Sequence, residues 1–139
     1  MKIKLSTYTE GQLLYDHRFF ILNKGLNAGK PSFSPWANCF LAQFENDDEL
    51  DYAYWICYGL WVTRKLHVFL RGSVIPFITK DDLLNALDLA DAAIHDHRDL
   101  YMRSIEMPYE AEHNCEVLTA KATKLHQAKT AILREFIRI

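Results

Sequence analysis

The residues whose types and spacing could support chemistry lie mostly between positions 17 and 71. GLNAGK at 25–30 sets two glycines ahead of a lysine, as a phosphate-binding loop does. Such a loop needs GxxxxGK and then Ser or Thr, placed between a strand and a helix, so that backbone N–H groups cradle the phosphates. Here Gly25 and Gly29 are one residue too close, and Pro31 stands where the hydroxyl belongs and has no N–H to offer. The P-loop reading is excluded. What remains is a polar loop over 24–39, stiffened by Pro31 and Pro35. Loops held on a scaffold often carry binding residues. Lys30, Asn38 and Cys39, joined by Arg71, would there form a small-molecule pocket for an anionic ligand.

Cys39 would act as a nucleophile only with a base beside it, and His17 and His67 are the residues the fold would have to bring there. Spacing alone does not supply that proximity, and buried structural cysteines are the ordinary case, so no catalytic residue is assigned. Glu110-x-x-His113 has the spacing of carboxylate di-iron bundles, but the second ExxH such bundles require is missing. No metal site and no cofactor is assigned. Arg64, Lys65 and Arg71 gather around His67 and Phe69, a pattern that can follow a nucleic-acid backbone and stack a base. The same cations suit the C-terminal end of a helix. A net charge of −2 gives no general grip on nucleic acid, which is therefore not the favoured partner. Phe33, Trp36 and Phe69 are expected on an exposed surface for another protein or for self-association.

The elements that must position these residues follow from pattern. MKIKLSTYT alternates Ile3 and Leu5 with lysines and predicts a short half-buried strand. Leu13, Leu14, His17, Phe20 and Ile21 fall at helical spacing, so 11–24 is expected to be a helix ended by Gly25. NCFLAQF at 38–44 predicts a buried strand. The acidic run ENDDELD suits a helix N-terminus, and the following helix, to about residue 65, is aromatic-rich and apolar on nearly every side. LHVFLRGSVIPFIT predicts two strands around Arg71-Gly72-Ser73, with Pro76 confining the second to an edge. Thr79 begins a helix expected to reach about residue 105. After a break at Pro108 a last helix over 109–137 would bury Val117, Leu118, Leu125, Ala128, Ile132 and Phe136. An acidic 79–116 beside a basic 117–139 fits two antiparallel helices.

These readings give one α+β domain over 1–139: a small, mostly antiparallel sheet around a buried aromatic-rich helix, with a C-terminal antiparallel helical hairpin. An apolar fraction of 50 % and eighteen aromatic residues are enough for its core. Cys39, Cys57 and Cys115 form no CxxC pair or disulfide framework, and no secretory leader or membrane span is expected. The chain is expected to be cytoplasmic. KGLNAGKP and NCF at 24–31 and 38–40, YGLW at 58–61 and RGSVIPFI at 71–78 resemble an uncharacterised family of small Bacteroidales proteins. That resemblance implies lineage and carries no activity or site. The function expected is a small non-enzymatic binding or interaction module. The alternative is a small-molecule binding protein, or an enzyme, built on the 24–39 loop and the 64–73 hairpin.

Overall fold

The computed structural model describes residues 1–136, with the side chains of 106–109 and 136 outside the description. The chain divides into two compact units, Met1–Met102 and Arg103–Ile139. The first unit holds a four-stranded antiparallel sheet in the order β1-β4-β2-β3. Its strands are β1 (Lys4–Thr7), β2 (Arg18–Leu22), β3 (Pro31–Ser32) and β4 (Cys39–Gln43). The helices are α1 (Asp47–Val62), α2 (Lys80–Ile94) and α3 (Arg98–Phe136), with short 3₁₀ helices at Lys65–Phe69 and His95–His97. The class is α+β, as the patterns indicate.

The sheet is covered on both faces, and the register says how. Phe19 stands opposite Ala42 and Ile21 opposite Phe40, and all four pack with Tyr52, Ala53, Ile56 and Cys57 of α1 in the main core. Phe20 stands opposite Leu41, and with Cys39 these form a second cluster closed over by Tyr8, Leu14 and Trp36. β2 is therefore a central strand in which the successive side chains of Phe19, Phe20 and Ile21 are all buried. The helix expected over 11–24 is not formed. A short apolar run fits either state by periodicity, and here cross-strand pairing on both edges of β2 decides for strand. Gly25 does adopt a left-handed φ of 90°, but it turns the chain after a strand and does not end a helix.

Asn46 caps α1 by accepting from the Glu49 N–H at 2.9 Å, with Asp47, Asp48 and Glu49 filling the positive first turn. Tyr52 then reaches α2, donating its hydroxyl to Asp91 at 2.8 Å, while the Met1 ammonium sits 3.0 Å from the other Asp91 oxygen. The Arg98 guanidinium lies 3.8 Å from the Tyr52 ring centre and completes this clasp. Burial, and then the hydrogen bond to Asp91, push the Tyr52 hydroxyl up to about 12, so it stays a donor.

Two further expectations change. The first half of the 66–79 hairpin is a 3₁₀ turn, closed by His67 N–H to the Arg64 carbonyl and Leu70 N–H to the His67 carbonyl. Leu66 drops into the core while His67 and Val68 face out, an arrangement no strand starting there would give. Only Arg71 and Phe77 pair across the turn, and the loop they close docks on Asn23 and Gly25. The helical break falls at His95–His97, not at Pro108, which lies inside the 39-residue α3. The described residues of the second unit all belong to this helix. The stripe expected to be buried there is open instead, with Leu118 and Leu125 65 % and 72 % exposed. The Phe136 side chain lies outside the described residues.

A candidate interaction cleft at the end of α1

The GLNAGK loop and the C-terminal end of α1 form a cleft of about 440 Å³ lined by Leu26, Asn27, Trp61, Val62, Arg64 and His67. The loop is fixed by its backbone. Leu22 N–H donates to the Lys30 carbonyl, and Gly29 N–H donates to the Leu22 carbonyl at 2.7 Å. The Cys57 thiol, pushed well up by burial, donates to the Gly29 carbonyl and so ties the loop to the middle of α1. Gly29 has φ +97°, and a Cβ built there would come within 2.0 Å of the buried Leu66 Cδ1. Both glycines of GLNAGK thus serve the fold of the loop.

The other wall begins where α1 stops. Thr63 bonds back to Gly59, and Arg64 takes φ 58°, ψ 23°, a left-handed conformation unusual for a residue with a side chain. That conformation turns the chain into the 3₁₀ segment, with Arg64 and His67 on the cleft. Trp61 Nε1–H donates to Asn27 Oδ1 at 3.3 Å, and the Lys30 ammonium lies 5.0 Å from the Trp61 ring centre. Trp61 continues an aromatic series along α1. Phe33 stacks on Tyr54 at 4.8 Å, and Tyr54, Trp55, Tyr58 and Trp61 follow one another edge to face.

The two sequence segments that build this cleft carry charge of one sign. Residues 23–44 and 52–80 contain no Asp or Glu, and they carry Lys24, Lys30, Arg64, Lys65, Arg71 and Lys80. Exposed aliphatic side chains accompany the cations: Leu26, Val62, Val68, Val74 and Ile75. A larger groove of about 690 Å³ runs elsewhere, past Lys2, Lys4, Asp16, Glu45 and Asp88. It mixes both signs, and Lys2 and Glu45 stand 3.7 Å apart in their own ion pair.

The residues singled out from the sequence have separate surroundings. Lys30 borders the cleft through Trp61. Asn38 is exposed and uses its carbonyl to accept from Asn23 N–H. Cys39 is 1 % exposed in the second cluster, and its thiol donates to the Trp36 carbonyl at 3.1 Å. Burial pushes that thiol up more than the Trp36 contact lowers it, so a thiolate is disfavoured. His17 pairs with Asp47, His67 lines the cleft and Cys39 bonds to the Trp36 carbonyl, so each of the three is engaged with other groups. Arg71 is engaged with the Asp82 carboxylate through two nitrogens, at 2.8 and 3.1 Å. Phe33 is exposed, Trp36 packs on the second cluster, and Phe69 packs on the main core. Among the described residues, no group of three or more His, Cys, Asp or Glu side chains is placed to hold a metal ion.

Sequence reasoning placed Asn27 in the polar loop but missed Trp61, and with it the role of Arg64 as a wall of the cleft. The aromatic spacing at 54, 58 and 61, one face of a helix, was the available signal. No curated protein and no solved structure matches the chain. A family model covers residues 5–135, and the chain therefore belongs to a protein family of unknown function, DUF6943.

Proposed function

We propose that this protein is a non-enzymatic binding module whose cleft at the end of α1 takes an acidic, apolar segment of another protein. The observation that carries this is the composition of the surface: aromatic, arginine and aliphatic side chains around Trp61 and Arg64, with no acid in the two sequence segments that build it. Protein interfaces are enriched in Trp, Tyr and Arg at their centres. Leu26, 68 % exposed, and Val62 beside it favour a protein over a nucleic-acid backbone, which would pair with the cations and leave the aliphatic groups in water. Three free cysteines suit a reducing, cytoplasmic setting. The KGLNAGKP, NCF, YGLW and RGSVIPFI blocks support a place among small Bacteroidales proteins.

The test compares immobilised wild-type protein with Leu26→Asp and Arg64→Glu in extracts of the source cell. Both positions are exposed, so the variants should keep the wild-type melting temperature. A protein retained by wild type, released by salt and absent from both variants is the expected result. Identical retention by all three proteins refutes the reading.

A second reading rests on the Lys30 ammonium over Trp61 and the left-handed Arg64, which set two cations at a cleft within the size range of small-ligand pockets. In that reading the occupant is a small anion gripped by Lys30 and Arg64. A thermal-shift panel of nucleotides and sugar phosphates separates the two: a stabilising compound whose effect disappears in Arg64→Ala favours the small ligand.

A further inference from the structure

The part of α3 that forms the second unit carries a seam with a coiled-coil period. From Ala111, alternating steps of four and three residues read Ala, Cys, Leu, Ala, Leu, Lys and Ile, ending at Ile132. This is the 3.5-residue repeat along which two helices supercoil. Its large members are open, with Ile132 58 % exposed alongside Leu118 and Leu125. The charges are sorted along the helix as well. Glu110, Glu112 and Glu116 precede the middle of the seam, and Lys121, Lys124 and Lys129 follow it.

We propose that this helix pairs with the same helix of a second copy of the chain, antiparallel, as a two-stranded coiled coil. Charge order selects both occupant and direction. A parallel pair would set the acidic halves together, the basic halves together, and Lys129 against Lys129 inside the seam. The antiparallel pair sets each acidic half against a basic one, and the chain itself supplies the complementary order. With the two-fold axis beside residue 120, Leu118 meets Ala122 of the second copy and Leu125 meets its Cys115, large against small. Lys129 comes opposite Ala111, with Glu112 of the second copy next to it on the flank of the seam. A single lysine in a seam fixes register at a cost in stability, and in this register it is answered by one carboxylate, that of Glu112. The proposal uses none of the cleft residues and stands or falls apart from the function proposed above.

Sedimentation equilibrium of the full chain at micromolar concentration tests it, with oxidative cross-linking to read direction. Wild type should be a dimer, and Arg64→Glu should leave it so. Leu125→Lys, at an exposed position, should raise the dissociation constant by at least about tenfold while the melting of the 1–102 unit is unchanged. Leu125→Cys should form a disulfide-linked dimer through Cys115 on mild oxidation, whereas wild type should not, since its Cys115 residues lie about 15 Å apart along the axis. A monomeric wild type, or a dimer indifferent to Leu125→Lys, overturns the pairing. Linkage of wild type through Cys115, or of neither protein, overturns the antiparallel register.

Discussion

Replacing Gly29 by alanine tests the account of the GLNAGK loop more sharply than any change at its lysine. Two independent costs are expected. The first is backbone strain at φ +97°, about 1–2 kcal/mol for a residue with a Cβ, reduced by about 0.4–1 kcal/mol because alanine has less freedom to lose on folding. The second is steric. The new methyl would sit 2.0 Å from Leu66 Cδ1, where carbon atoms need about 3.5–4.0 Å. Leu66 is 1 % exposed and cannot swing out into solvent, so it must repack within the core, at about 1–3 kcal/mol. The sum, about 2–4 kcal/mol, is a large part of an ordinary domain's stability of about 5–15 kcal/mol. Urea denaturation should show a lower midpoint with an unchanged slope, and the melting temperature should fall by roughly 6–20 °C. Gly25→Ala is the control, because φ there is +90° with nothing within 4 Å of the new Cβ, and it should pay only the backbone cost. A double-mutant cycle with Leu66→Ala isolates the collision. In that background Gly29→Ala should cost only about 1 kcal/mol, a coupling of about 1–3 kcal/mol. If Gly29→Ala costs the same in both backgrounds, or less than Gly25→Ala, the packing argument is wrong.

Acid stability should depend on Asp91. Burial pushes its carboxyl up, but the Met1 ammonium and the Tyr52 hydroxyl outweigh this and hold it below the usual carboxylate range. A depressed value means that the clasp contributes fully above the unfolded-state value and is lost as pH falls through the folded one. Asp91→Asn should lower stability at neutral pH by about 1–3 kcal/mol and flatten its decline in acid, as followed by melts across a pH series; an unchanged acid slope would show that other carboxylates control it. Thiol labelling of the native protein should leave Cys39 and Cys57 unmodified until denaturant is added, since both are buried with their thiols pushed up. Fast native labelling of Cys39 would contradict its placement under Trp36.

What could be read from the residues divides along a physical line. Local signals were sufficient where a local contact does the work. The Asn46 and acidic start of α1 and the Thr79 start of α2, whose hydroxyl accepts from Asp82 N–H at 3.1 Å, are side-chain-to-backbone bonds within one turn. β1 carries its face pattern in its own sequence. β2 does not, because a strand buried on both faces has no alternation, and RFFIL reads as helix until Leu41, Ala42 and Phe40 are known to lie beside it. The 3₁₀ turn after α1 depends on Leu66 finding the space over Gly29, a contact across 37 positions of chain that pattern does not encode. Pro108 shows the reverse failure, a strong local signal overridden by the helix around it. In the cleft, Lys30 was legible as a polar loop residue, whereas Arg64 gains its position from a backbone conformation its residue type does not advertise.

The edges of the sheet limit how any partner can be held. β3 is two residues long and begins with Pro31, which has no N–H to donate, and beyond it the Asn23 carbonyl is already taken by Ile78 N–H. At the opposite edge β1 runs for four residues with Lys2 and Lys4 exposed along it. Short, lysine-bearing and proline-bearing edges resist the addition of a foreign strand. Both borders of the sheet thus resist growth, which works against β-aggregation and favours recognition by side chains displayed on loops and helices.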